Sequence, residues 1–175
     1  MYKNEYDVIL NIIHSIMLGI LNIEEIEEVL LQNILGRIGY VKSGRTNIIP
    51  INYLYNGQYI IAHSAEGEKI KAMRLNPNVC FEVEEITNNQ NWKTVVAEGT
   101  YHEITDERER YEAMKLFVEK MLKLKVSTTA HPPESNMMRP HITKPSAKAV
   151  IYKIFLGEKT GRFEKEITTT DQLLK

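Results

Sequence analysis

Residues 62–73 read AHSAEGEKIKAM, and the chemistry within reach of that stretch is anion binding. A strand-like run precedes it and a helical pattern follows. At a helix N-terminus several backbone N–H groups lack partners and the dipole adds partial positive charge, so an anion is well accommodated there. The expected helix runs from about Ala65 to Leu75, stopped by Asn76-Pro77. Ser64 would stand at or near its cap and offer a hydroxyl donor, Gly67 would leave room for close approach, and Lys69 would bring a full positive charge. Lys71, two residues further, should face differently and is the weaker candidate. His63 could donate to a phosphate or a ring, or act as an acid near neutral pH. Taken alone, the same residues also describe a capped surface helix with solvated lysines and a hydrogen-bonded strand-end histidine.

Other chemistries are harder to place. No glycine-rich dinucleotide loop or Walker loop occurs, and no GxSxG motif is present. His63, His102, His131 and His141 form no short pair, and no cysteine cluster accompanies them, so metal-ligand spacing is absent. The formal net charge of −1 gives no cationic excess for a nucleic-acid groove. Apolar residues make up 43% and charged ones 26% of 175 residues, which suits one soluble domain with a sizeable core. The lone cysteine, Cys80, lies in an apolar run, where a core position is expected; it cannot form an intramolecular disulfide, which favours a reducing, cytoplasmic setting. The apolar run 8–21 contains Asn11, His14 and Ser15 and is too short for a membrane span. Its flank has the wrong charge for a secretory signal, so a buried or amphipathic helix is expected there.

The elements that would position the candidate site follow from periodicity. Residues 22–36 carry a helix with a capping box from Asn22 to Glu25 and a stripe of Ile23, Ile26, Val29 and Leu30, ending at Gly36. A short strand and a turn at Ser43-Gly44 come next. Residues 46–64 read as a hairpin closed by a type I′ turn at Asn56-Gly57. Pro50 lies in its first arm, where a missing donor marks an edge, a bulge or an opening of the sheet. Strands are expected at 79–86, 92–104 and 149–156. Between the last two comes a helix capped by Thr105, with Tyr111, Met114, Phe117, Val118, Met121 and Leu122 as its core stripe. Residues 125–147 form a proline-rich loop, and GEKTGRFEK after the last strand leads into a polar tail. An antiparallel sheet rolled into a small barrel, with helices at its ends, fits this order best.

The ordered series Pro50-Ile51-Asn52-Tyr53, His63-Ser64-Ala65, Lys69, Asn76-Pro77, Phe81-Glu82-Val83 and Trp92-Lys93 resembles the pyridoxamine-phosphate-oxidase-like flavin-binding proteins. Within that group it is most similar to the nitroimidazole-resistance (Nim-type) branch. The resemblance runs from about Ile23 to the KTGR near residue 162. It implies a six-stranded split β-barrel, commonly a homodimer, with FMN in a cleft between subunits. Carried onto this chain, Ile48, Ile49, Pro50, Ile51 and Asn52 would line the isoalloxazine ring. His63, Ser64 and Lys69 would reach the phosphate end, and Trp92 and Lys93, contributed by the partner subunit, would close the cleft. The branch associates the histidine matching His63 with the active site. Thr46 and Glu68 stand where the vitamin-oxidising branch has arginine, which argues against pyridoxamine phosphate as substrate. Residues 1–21 extend beyond the resemblance, as a segment added to the single domain.

The function implied is an FMN-dependent oxidoreductase reducing a small nitroaromatic substrate, with a nicotinamide nucleotide as a candidate electron donor. Two other readings stay open: a non-catalytic flavin-binding protein, and a haem-binding split barrel with a histidine on iron.

Overall fold

Local chemistry starts the first helix as the residues dictate. In the computed structural model, which describes residues 16–124 and 149–166, helix α1 spans Ile23–Gln32. Asn22 accepts from the Glu25 amide while the Glu25 carboxylate accepts from the Asn22 amide, closing the expected capping box. Ile26, Val29 and Leu30 are buried beneath it, whereas Ile23 is exposed. Gly36 does not end this helix; it lies inside the next strand.

That strand, β2 (Leu35–Lys42), pairs antiparallel with β3 (Arg45–Asn52) across Ser43 and Gly44, both with positive φ as a tight I′ loop requires. The expected hairpin at 46–64 is differently built. Its first arm is divided: β3 joins β2, and only β4 (Leu54–Tyr55) pairs with β5 (Tyr59–Ser64). At that second turn Gly57 has positive φ, but Asn56 uses its carboxamide oxygen to accept from the Gln58 and Tyr59 amides, so the loop is longer than a type I′ turn.

Helix α2 (Glu68–Leu75), β6 (Asn78–Asn88), β7 (Asn91–Glu103), helix α3 (Glu107–Lys123) and β8 (Val150–Glu166) complete the chain order, with β1 (Ile16–Ile20) ahead of α1. Among the described residues the sheet has eight strands rather than six, ordered β3-β2-β6-β7-β8-β5-β4, with β1 paired to β8. Two elements account for the added strands. The run at 16–20, expected within a helix, is a strand because β8 offers it a partner; residues 8–15 of that expectation lie outside the described residues. The other is the two-residue β4. Likewise β8 continues through GEKTGRFEK, past the expected strand end at 156, because β7 on one side and β1 on the other supply its hydrogen bonds.

The sheet rolls for a topological reason. Its two end strands, β3 and β4, are consecutive in the chain and separated by Tyr53 alone. They are not paired with each other, so the sheet stays open, yet its edges must meet at that residue. Tyr53 is fully buried there, packs edge-on against Phe81 at 5.0 Å, and donates its hydroxyl hydrogen to the Leu30 carbonyl of α1. One core cluster gathers Ile38, Tyr53, Ile60, Phe81, Val95 and Tyr152 from strands all round the sheet. Pro50 sits on an end strand, in keeping with an edge. Cys80 is exposed, not core: Val79, Phe81 and Val83 point inward, so strand alternation turns Cys80 out. On α3, Phe117 and Met121 are buried, but Tyr111 and Leu122 are exposed, and the cap is Asp106, one residue beyond Thr105. The proline-rich stretch 125–147 lies outside the described residues.

Candidate functional site

The stretch AHSAEGEKIKAM spans the end of β5, a short turn and the first turns of α2. Helix α2 begins at Glu68 rather than Ala65, because Gly67 is its N-cap. Gly67 supplies no side-chain cap, and a Cβ there would meet only the Ala65 carbonyl at 3.9 Å, so this helix end is open. Ser64 remains on β5 and donates its hydroxyl hydrogen to the Ala65 carbonyl at 2.9 Å.

Charge around this end is almost fully compensated. Glu68 accepts from Lys42 at 2.6 Å and from Lys71 at 3.5 Å. Arg74 pairs with Glu66 at 2.7 Å and with Glu103 at 2.6 Å, and these two carboxylates hold its guanidinium above the usual arginine range. Arg74 in return holds the Glu103 carboxyl below its ordinary value. Lys69 differs. It makes no ion pair or hydrogen bond to the described residues, it is half-buried, and its ammonium lies 5.9 Å from the ring centroid of Tyr152. Burial holds its pKa below the ordinary lysine value. Tyr152 is fully buried and its hydroxyl has no hydrogen-bond partner among the described residues; burial pushes its pKa up. A half-buried, uncompensated cation at an uncapped helix end is a donor set that fits a phosphate group. Lys71, bound to Glu68, is the lesser candidate, as expected.

His63 is half-buried and meets Phe117 of α3 edge-on at 5.1 Å. Along β5, Ile60 and Ala62 belong to the barrel core, whereas Ile61 joins the cluster beneath α3. His63 shares the Ile61 face, so it and Ser64 point to opposite sides of the strand.

The remaining candidates divide by position. On β3, Ile49 packs against the core and Ile51 is buried, while Ile48 and Pro50 are exposed and Asn52 is half-buried. This strand therefore presents an accessible edge with alternating apolar side chains. Trp92 and Lys93 start β7 and lie elsewhere: Trp92 is opposite Glu164 of β8, whereas His63 is opposite Ile151. At about 3.3 Å per residue, those positions on β8 are separated by a contour on the order of 40 Å. Within one chain, Trp92 and Lys93 do not share a pocket with Ser64 and Lys69. The indole Nε1 of Trp92 donates to Glu164 at 3.2 Å. Tyr152 was not singled out from the sequence. It sits in an apolar run, AVIYKIFL, broken only by Lys153, and only the β5–β8 pairing brings it beneath Lys69.

Comparison with known proteins places this architecture. Residues 22–162 match the family described as pyridoxamine 5'-phosphate oxidase. The chain belongs to that family. An uncharacterized protein of Rhizobium meliloti (strain 1021) is 35% identical over 81 residues, covering 46% of this chain and 54% of that protein, so the chain spans about half the length of this relative. The crystal structure of an FAD-binding protein from Mesorhizobium loti is similar at 26% identity with a TM-score of 0.65, covering 87% of this chain and 100% of that one. A candidate 5-nitroimidazole antibiotic resistance protein from Bacteroides thetaiotaomicron shares the fold at a TM-score of 0.61 and 17% identity, covering 86% and 91% of the two chains. Family and neighbours together make the rolled antiparallel sheet a split barrel.

Proposed function

We propose that this family member binds a flavin nucleotide, FMN, as a homodimer and works as an oxidoreductase on a small, nitroaromatic substrate, with a nicotinamide nucleotide as electron donor. The observation that carries this reading is Lys69, the uncompensated and half-buried cation at the open end of α2. Around it Lys42 at the end of β2 and Lys71 and Arg74 on α2 each have a carboxylate partner, so a dianion placed there meets one unneutralised charge.

In this reading Lys69, Ser64 and the first amides of α2 hold the phosphate, with the Ser64 hydroxyl rotating from Ala65 toward it. The edge of β3 from Ile48 through Ile49, Pro50 and Ile51 to Asn52 lies along the ring. Flavin, when bound, supplies two-electron exchange between donor and substrate. His63, on the α3 side of β5, is assigned a different role from Ser64: proton donor on the substrate side, since it faces away from the phosphate seat. Trp92 and Lys93 complete the cleft from a second copy, because their own chain holds them too far from Lys69. A groove of about 860 Å³ on the outer face of β2, β6, β7 and β8, lined by Cys80, Val96 and Phe155 among others, offers that copy a surface. The exposed Cys80 thiol suits a reducing, cytoplasmic setting.

A visible spectrum of the purified protein tests the cofactor: flavin bands are expected, and a Soret band in their place would replace the reading with haem. Bleaching of the flavin bands by NADH or NADPH, followed by reoxidation with a nitro compound, separates an enzyme from a flavin store.

A further inference from the structure

The family match ends at residues 22 and 162, and the structure extends on both sides of it. The two extensions pair with each other: β1 runs antiparallel to the last five residues of β8, from Ile16 opposite Glu166 to Ile20 opposite Arg162. Gly19 lies directly opposite Phe163, and a Cβ on Gly19 would sit 2.5 Å from two carbons of the Phe163 ring. The ring therefore lies across the glycine, held by the absence of a side chain. Beside it opens a pocket of about 410 Å³, in the size range of small-molecule sites. Its body is apolar, formed by Met17, Leu21, Trp92 and Phe163.

Two carboxylates at its rim already have partners within the fold: Glu25 closes the α1 capping box and Glu164 accepts from the Trp92 indole. Glu85 and Lys93, of opposite charge, occupy facing positions on β6 and β7 at the same rim. An occupant therefore meets a flat aromatic and thioether surface, with Glu25 and Glu164 already hydrogen-bonded at its rim and the opposite charges of Glu85 and Lys93 facing each other there. Tryptophan, phenylalanine and methionine surfaces of this kind favour planar rings through stacking and sulfur–aromatic contact.

We propose that the paired extensions build a binding pocket for a neutral, planar aromatic molecule, with Phe163 held across Gly19 as the specificity-determining surface. Trp92 is common to this pocket and to the proposed cleft wall, so its service to the flavin site rests on the reading above, whereas the pocket itself does not.

Trp92 is the only tryptophan in the chain, so all tryptophan fluorescence comes from the wall of this pocket, and titration before and after FMN loading separates its response from that of the proposed cleft. Nitrobenzene, a neutral planar contact quencher, is titrated into the full-length protein before and after loading with FMN. Saturable quenching is expected, with affinity weakened about tenfold in Gly19→Val and in Phe163→Leu, the loss of one aromatic packing contact. FMN affinity should be unchanged in both variants. Linear, non-saturating quenching would overturn the proposal, as would variants that bind nitrobenzene like the native chain or that lose FMN in parallel. If Gly19→Val fails to fold, Phe163→Leu, which removes the ring and leaves the β1 backbone intact, decides the matter. Saturable nitrobenzene binding in a chain that takes up no FMN would uphold the pocket and remove the flavin reading. FMN uptake without a Trp92 response would do the reverse.

Discussion

At its N-terminal end β8 passes beneath Lys69 through Tyr152, and at its C-terminal end it carries Phe163 across Gly19. The first region lies within the family match and joins a half-buried cation without a counter-ion to a phenol without a partner. The second is built where the two segments flanking the match pair with each other, and Glu25 and Glu164 at its rim are engaged within the fold. One strand thus serves two surfaces of opposite character. Where charge is left uncompensated the fold gains little stability from it, so a ligand is the natural source of the missing partner. Where charges are internally paired, shape and apolar surface decide what binds.

The sharpest way to break this contrast is to remove the uncompensated charge. Lys69→Ala combined with Ser64→Ala should weaken FMN binding by roughly 1.5–3 kcal/mol for the charge-assisted bond and about 1 kcal/mol for the hydroxyl. Riboflavin, which lacks the phosphate, should bind the variant and native chains alike. Calorimetric titration with both ligands reads the difference; an unchanged FMN affinity would remove Lys69 from the seat. The next test joins the two ends. Lys69→Ala and Trp92→Ala each damage both sites of a twofold dimer, but a mixed dimer carries one site with both lesions and one with neither. Mixing the two after mild unfolding should restore native affinity at about a quarter of the sites. No recovery, with dimers present by sedimentation, would show that Trp92 does not act across the interface.

The family-like end was far more legible in the sequence than the other. The Asn22–Glu25 capping box is a contact between residues three apart, and local spacing suffices to find it. Lys69 and Ser64 could be named because a strand-to-helix junction declares itself by composition. Their surroundings could not: Glu103 reaches Arg74, and Tyr152 reaches Lys69, only through sheet pairing. The turn at the start of α2 also moved by three residues, since Gly67 rather than Ser64 became the cap. Residues 16–20 were misread as helix for a different reason. An unbroken apolar run has no visible period, so helix and strand cannot be told apart until a partner is known. That partner, the polar half of β8, lies beyond the expected strand end at 156, because its side chains are mostly exposed and its order comes from backbone ladders on two sides. His63 shows the remaining difficulty: adjacency to Ser64 suggested a shared site, and strand alternation separates them.

Acidity sharpens the same contrast more gently. Burial lowers the Lys69 pKa in the ligand-free protein, so its folded form binds fewer protons than the unfolded chain in the window between the two values. Within that window stability rises with pH, because the cost of keeping the ammonium half-buried is relieved as it deprotonates. Phosphate binding requires the charged form, so FMN affinity should fall as pH rises through the depressed value, earlier than an ordinary surface lysine would dictate. Riboflavin affinity should stay flat over that range, and parallel decline of both ligands would point to loss of the fold instead.

The smallest effect is expected at Tyr152. Its hydroxyl is desolvated without a partner, a cost of about 1–3 kcal/mol for a buried donor left unmet. Tyr152→Phe keeps the ring that lies beneath Lys69 and removes only the oxygen, so the ligand-free variant should melt at the same temperature or a few degrees higher. FMN affinity should hold, since the aromatic face under the ammonium is unchanged and cation–π attraction does not need the hydroxyl. A lower melting temperature would mean that the hydroxyl has a partner after all, a buried water among the candidates, and that this end of β8 is as internally satisfied as the other. Tyr152→Leu then separates the ring from the oxygen: it removes the platform, and FMN affinity alone, not riboflavin affinity, should decline with it.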